Sequence, residues 1–134
     1  MIATFVHPTQ LTEHDTREIV RGCLKLKFQK LEPQYIIRQA LSGTMVLYKV
    51  QGKDFEGIFV VEPKGDTLWL EMAVGTGLLK HFDELNDWLL GLARSYGAHS
   101  LSALVASPGI AKLWKRVSGK PAASYFMQEL KNGR

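Results

Sequence analysis

The chain carries a single cysteine, Cys23, so no internal disulfide framework can form. Cys23 falls on a helical pattern beside Leu24, facing the same way as Ile19, and reads as a small buried hydrophobe. A nucleophilic cysteine needs a histidine and an acid beside it, and nothing local supplies them. The histidines, His7, His14, His81 and His99, are scattered, and no His/Cys/Asp/Glu group has ligand spacing, so no metal site is expected. No apolar run approaches the ~20 residues of a membrane span. The start, MIATFVHPTQLTEHD, lacks a basic stretch ahead of its short apolar run. It does not read as a signal peptide, and a cytoplasmic protein is expected. Low-complexity tracts, internal repeats and linkers are missing too, which argues against disorder and against several domains.

What remains is an ordinary globular composition. The 134 residues are 46% hydrophobic and 22% charged, enough for one core and too few for two, so a single domain over 1–134 is expected. The net charge of +4 is modest. Its small clusters, Lys25/Lys27/Lys30 and Lys112/Lys115/Arg116/Lys120, suit solvated helix faces. They would equally suit an anion such as a nucleotide, a coenzyme A phosphate or nucleic acid. No helix-turn-helix, zinc finger or RNA-binding aromatic motif accompanies them, so nucleic acid is not favoured.

Periodicity orders the chain. Met1 to Val6 is β-prone and ends at His7-Pro8, an edge strand. Thr12-Glu-His-Asp15 suits a helix start, and Ile19, Val20, Cys23, Leu24 and Phe28 have the spacing of one helix face. Gly22 weakens that helix by about 1 kcal/mol relative to alanine. A shorter helix runs from about Pro33 to Leu41, with Ile36/Ala40 and Ile37/Leu41 as pairs, stopped by Ser42-Gly43. Three strands follow, Thr44 to Val50, Phe55 to Glu62 and Thr67 to Val74. The turns Gln51 to Asp54 and Pro63 to Asp66 join them into an antiparallel meander. After Gly75-Thr76-Gly77 the period becomes helical. Leu78, Phe82, Leu85, Leu89, Leu92 and Tyr96 form the longest stripe in the chain. Ser100 to Ala106 is a strand, Pro108 opens a short helix bearing Ile110, Leu113, Trp114 and Val117, and Ala122 to Leu130 is the last strand. Trp69, Trp88 and Trp114 sit in periodic apolar contexts and are expected in the core. The order β-α-α-β-β-β-α-β-α-β predicts an α/β protein with a mixed sheet covered on both faces.

The segments LWLEMAVG, a glycine-containing turn, a helix ending in ARSYGAHSL, a further strand and GIAKLWKRVSG follow one another through the second half. Over nearly the whole chain this order resembles the GNAT superfamily of acetyltransferases. The stretch YIIRQALSGTMVLYKV and the short chain resemble, more narrowly, small GNAT-like proteins of tailed phages. The resemblance implies acetyl-CoA as cofactor. It implies a fourth strand that splays from its neighbour and offers backbone groups to the pantetheine arm, and a turn whose N–H groups meet the pyrophosphate. On this chain those cofactor contacts fall at Met72, Val74, Gly75, Thr76, Gly77, Leu78 and Leu79. Glu71 would be a general base acting through water.

Each assignment has a plainer counterpart. Turns use glycine whether or not a phosphate is near. Glu71, expected on the face opposite Leu70 and Met72, could equally be a solvent-facing rim carboxylate. The turn lacks the family's leading Arg or Gln. Trp114 occupies the place of the acid tyrosine, leaving Tyr125 or Tyr96 as substitutes, since an indole N–H has no useful acidity. Ser107 stands where the family often has asparagine, and Gly119-Lys120 replaces a Gly-Phe pair. Two readings follow. One is a phage-type protein with a degenerate acetyl-CoA site that binds a protein partner in a virion, during assembly or on a host factor. It would lie in the host cytoplasm or the virion. The other is an active acetyl-CoA-dependent N-acetyltransferase. A third, weaker reading is a basic nucleic-acid accessory protein using Lys112 to Lys120.

Overall fold

The computed structural model describes residues 1–26, 31–104, 112–116 and 125–129, the last strand and Leu104 by backbone alone. Its elements are strand β1 (Ile2–Val6), helices α1 (Glu13–Lys25) and α2 (Pro33–Leu41), strands β2 (Val46–Gln51), β3 (Glu56–Lys64) and β4 (Thr67–Thr76), helix α3 (Phe82–Ser95), and strands β5 (Ser100–Leu104) and β6 (Tyr125–Glu129). Residues 112–116 are helical between the last two strands. The expected order and the mixed α+β class are what the chain adopts. Phe28, Lys27, Lys30, Ser107, Ile110, Val117, Gly119 and Lys120 lie outside the described residues.

The strands form one six-stranded sheet in chain order, β1 to β6. Every neighbouring pair is antiparallel except β4 and β5, which run parallel. A parallel pair needs a crossover, and α3 is that crossover. The N-terminal strand is the sheet edge, as its His7-Pro8 ending predicts.

Each face of the sheet has its own core. On one, Phe59, Val61, Leu68, Leu70 and Leu101 pack beneath Leu85, Leu89 and Ala93 of α3. On the other, Leu47, Ile58, Val60, Met72 and Val74 pack beneath Ile19 of α1 and Ile36 of α2. In β3, alternate residues serve opposite cores, the period-two rule at work. In β4 that rule breaks. Leu68 and Leu70 belong to the α3 core, yet Met72 and Val74 belong to the α1 core. The cause is a bulge: Val61 pairs with Leu70 and Val60 with Met72, leaving Glu71 as the extra residue.

Local chemistry sets the helices. Thr12 caps α1: its Oγ1 accepts from the Asp15 N–H at 3.1 Å, and the Asp15 carboxylate accepts from the Thr12 N–H at 3.0 Å. Lys49 of β2 reaches the same buried carboxylate at 3.1 Å, tying helix to sheet. Burial alone would raise the Asp15 carboxyl. The Thr12 backbone bond and Lys49 outweigh it and hold the group below its ordinary value. Pro33 opens α2 at its first turn, and Gly43, at φ 82°, follows its end.

Four expectations are corrected. Val20 and Leu24 are exposed, Leu24 to 80%, rather than facing the core. The buried side of α1 is instead Asp15, Ile19 and Gly22. Gly22 lies so close to β4 that an added Cβ would sit 2.4 Å from the Met72 sulfur, so its missing side chain decides which face turns inward. Tyr96, expected at the end of the buried stripe, is exposed and shares a hydrogen bond with Tyr48 at 3.1 Å. Of the tryptophans, Trp114 is buried against Phe82, and Trp88 makes edge contacts with Tyr48 and Phe59. Trp69 is only half-buried, with the Lys64 ammonium 5.6 Å from its ring centre. The second meander turn is also tighter than expected. Pro63 and Lys64 still pair with β4, and Gly65 at φ 56° makes the reversal.

Candidate functional site

Strands β4 and β5 pair only from Thr67↔Ser100 to Leu70↔Ala103. β4 then runs on to Thr76 with none of the described residues of β5 beside it. Along this stretch its β3 side stays paired, while its other edge has no strand partner among the described residues. Unmade backbone pairs in a sheet interior need another partner. A cavity of about 610 Å³ opens there.

The cavity passes between the two cores. Phe59, Leu70, Leu85, Leu89, Ala103 and Trp114 line it from the α3 side, and Gly22, Leu26, Met72 and Val74 from the α1 side. The wall is thus apolar, with polar features at three places. Glu71 stands at the point where the strands part. Lys25 of α1 and Lys80, both exposed, stand at the rim. Asn86 of α3 is 4% exposed, and its Oδ1 has no hydrogen-bond partner.

Glu71 is 6% exposed, which removes the solvent-facing rim carboxylate as a reading. The simple alternation placed it opposite both Leu70 and Met72. The bulge puts those two residues in different cores, so no single face lies opposite both. Burial pushes its carboxyl above the ordinary value. The Lys64 charge offsets this in part and Glu62 adds to it. A carboxyl shifted upward, in a cavity, is a better proton acceptor near neutral pH than an exposed one. Cys23 stays outside the cavity lining; burial pushes its thiol up, away from nucleophilic character.

Each residue expected to meet a cofactor is on the strand or the turn leading to α3. Met72, Val74, Gly75, Gly77, Leu78 and Leu79 line the cavity; Thr76, the last residue of β4, is exposed and is not part of the lining. The two glycines have a local explanation. A Cβ at Gly75 would lie 2.0 Å from the Glu56 carbonyl oxygen, and one at Gly77 2.3 Å from that of Asp54. Gly77 also holds φ 72°. Both are required by the close approach of the β4 end to the start of β3. Arg21, paired to Glu18 at 2.7 Å, donates to the Gly75 carbonyl at 3.3 Å and ties α1 to the same spot. A single 3₁₀ turn, Leu79–His81, separates Gly77 from α3, whose first turn carries Asp83 and Glu84. Asp83 pairs with Arg116, one of the clustered cations. Tyr96 lies outside the cavity lining and Trp114 inside it.

Sequence reading missed Gly22, Phe59 and Asn86 as members of the site, and reached Lys25 only as part of a basic cluster that would suit an anion. Two had left a signal. Gly22 interrupts a helical stripe, which marks close backbone approach. Asn86 sits four residues after Phe82 and three before Leu89, on the buried stripe of α3, where a polar residue is out of place. Phe59 needed the third dimension.

No protein-family model matches the chain, and no curated protein does. Solved structures do. An acetyltransferase of the GNAT family from Staphylococcus aureus superposes with a TM-score of 0.62 at 10% identity, over 97% of this chain and 100% of that one. A GNAT-family protein from Desulfovibrio desulfuricans gives 0.59 at 14%, over 96% and 99%. A ribosomal-protein alanine N-acetyltransferase from Escherichia coli gives 0.57 at 8%, over 99% of each. At such identities the likeness is one of fold: the chain has the GNAT fold.

Proposed function

We propose that the cleft between β4 and β5 binds the arm of a coenzyme A thioester, acetyl-CoA in the simplest case, and that the protein passes the acyl group to an amine. The observation that carries this is the edge of β4 from Glu71 to Thr76, which has no strand partner among the described residues and borders an apolar cavity. An extended ligand with alternating amides and methylenes needs main-chain partners on one side and apolar walls on the other. The cleft supplies both, and Lys25 and Lys80 at the rim suit the anionic end of such a molecule. The residues present fit the group.

When bound, the thioester would supply an activated acyl carbon, to which the amine nitrogen would bond as the carbon–sulfur bond breaks, the thiolate leaving as coenzyme A and taking its proton from water. The chain does the rest. The β4 edge orients the arm through Met72, Val74 and Gly75. The turn Gly77 to Leu79 and the two lysines hold the phosphates. The Glu71 carboxylate, lifted by burial, takes the proton leaving the amine through one water. Trp114 and the apolar wall exclude bulk water, which limits hydrolysis.

A second reading is favoured by one observation. Trp114 occupies the cavity wall, and Tyr96 is engaged with Tyr48 outside it, so no tyrosine whose side chain is described lines the cleft; Tyr125 is described by its backbone alone. A protein that binds the thioester without turning it over, in a virion, assembly or host-interaction role, would look the same.

Thermal unfolding with and without acetyl-CoA tests binding: a native-state ligand at a hundred times its Kd adds about 2.7 kcal/mol. No shift at millimolar ligand ends both cofactor readings. A shift together with release of free thiol in the presence of amines supports transfer, and a shift without release supports the second reading.

A further inference from the structure

One polar atom in the cavity wall costs stability; like Arg94 Nε and Ser102 Oγ elsewhere in the fold, it is buried without a hydrogen-bond partner among the described residues. Asn86 lies on α3 between Leu85 and Leu89, on the stripe that packs against Leu101 and Ala103. It is 4% exposed, its Oδ1 is shut off from solvent, and no group among the described residues satisfies that oxygen. A buried amide oxygen left without a donor costs about 1–3 kcal/mol, whereas a leucine there would cost nothing of the kind. Asn86 also lines the cavity, among side chains that are otherwise apolar on that wall. A half-turn about the last side-chain bond exchanges the amide oxygen and nitrogen at little steric change, so either end can be turned towards a ligand.

We propose that Asn86 is the hydrogen-bonding partner, within the cleft, of an amide group in the arm of the bound thioester. This rests on the cofactor reading above and goes beyond it by assigning a side chain of α3, rather than backbone of β4, to the ligand. The pairing is chemically specific. An amide in the ligand offers one N–H and one C=O, and the asparagine amide complements either. An apolar wall with a single neutral amide selects a neutral polar group at that depth, and disfavours a charged one. As it stands the oxygen does not face the cavity, so it meets a ligand N–H there only after that half-turn.

The test uses two readouts that move in opposite directions. In Asn86→Leu the thermal midpoint without ligand is expected to rise by roughly 4–11 °C, because the orphaned oxygen is gone. The Kd for coenzyme A, measured by calorimetry, is expected to weaken about tenfold, equivalent to about 1.4 kcal/mol. A fall in the midpoint overturns the proposal, because it means that the amide is already satisfied within the protein. A raised midpoint with unchanged affinity overturns it equally, since the oxygen would then serve no ligand. Should the leucine variant fail to fold, Asn86→Ala is expected to bind about tenfold more weakly, and equal affinity refutes the idea. Wild-type protein that binds no coenzyme A removes the cofactor reading and this assignment with it. Wild-type binding that survives in the variants removes the assignment alone.

Discussion

Replacing Gly77 by alanine isolates what the glycine after β4 is for. The residue holds φ 72°, a left-handed conformation that costs an ordinary residue roughly 1–2 kcal/mol. The new Cβ would also stand 2.3 Å from the Asp54 carbonyl oxygen and 3.2 Å from the Phe55 Cβ. Backbone cannot swing aside as a side chain can, so the start of β3 or the end of β4 must shift, which adds about 1–3 kcal/mol. The sum is about 2–5 kcal/mol, a large share of the 5–15 kcal/mol that holds a domain together. Gly65→Ala is the control. That glycine has φ 56° and nothing within 4 Å of an added Cβ, so only the conformational cost applies. Urea unfolding of both variants, with coenzyme A binding measured on each folded form, gives the answer. The expectation is a Gly77→Ala loss exceeding that of Gly65→Ala by at least about 1 kcal/mol. Equal losses would refute the packing argument. Unchanged stability with lost binding would show that the glycine admits a ligand and does not serve the chain.

Glu71→Gln is expected to raise stability at neutral pH by about 1 kcal/mol, because a buried charge is removed. The folded carboxyl holds its proton to higher pH than the unfolded one, whose value is near 4.5. Stability from that proton is therefore present below 4.5 and lost as pH rises through the raised folded value. Urea midpoints across that range should fall in the wild type and flatten in the variant, and parallel profiles would contradict this. Asp15 has the opposite sign. Burial works against its ionisation, but the Thr12 and Lys49 contacts win, so its contribution is present above about 3.8 and lost as pH falls through the lower folded value. Asp15→Asn should blunt the acid limb of the stability curve, and Thr12→Ala should cost about 1 kcal/mol with the helix cap; an unaltered acid limb would speak against the pairing. Lys25→Glu with Lys80→Glu should weaken coenzyme A binding and reduce its salt dependence, read by titration at two ionic strengths. Equal affinity and salt response would remove the rim from the site.

Much of this fold is legible because it rests on local rules. The Thr12 cap, Pro33, Gly43 and the meander turns act within a few residues, so their chemistry is visible in the chain order. The crossover from β4 through α3 to β5 follows from the change of period after Gly77. What escaped depends on partners far along the chain. The face of α1 turned inward is chosen by Gly22 against Met72, fifty residues on, and this leaves Val20 and Leu24 outside. The bulge at Glu71 is set by register against Val60 and Val61, which no periodicity in β4 alone reveals. It changes a rim carboxylate into a buried one. The site itself was half visible: the strand and the turn were in place, while Lys25, Phe59 and the misfit amide of Asn86 came from elsewhere.

Hydrogen exchange along β4, with and without coenzyme A, bears on the main claim most directly. Amides from Glu71 to Thr76 that face the β5 side should exchange faster than those of Thr67 to Leu70 in the free protein, and should slow when the ligand is added. Equal protection of both stretches, unchanged by ligand, would mean that the strand edge is already satisfied and that the cleft receives nothing.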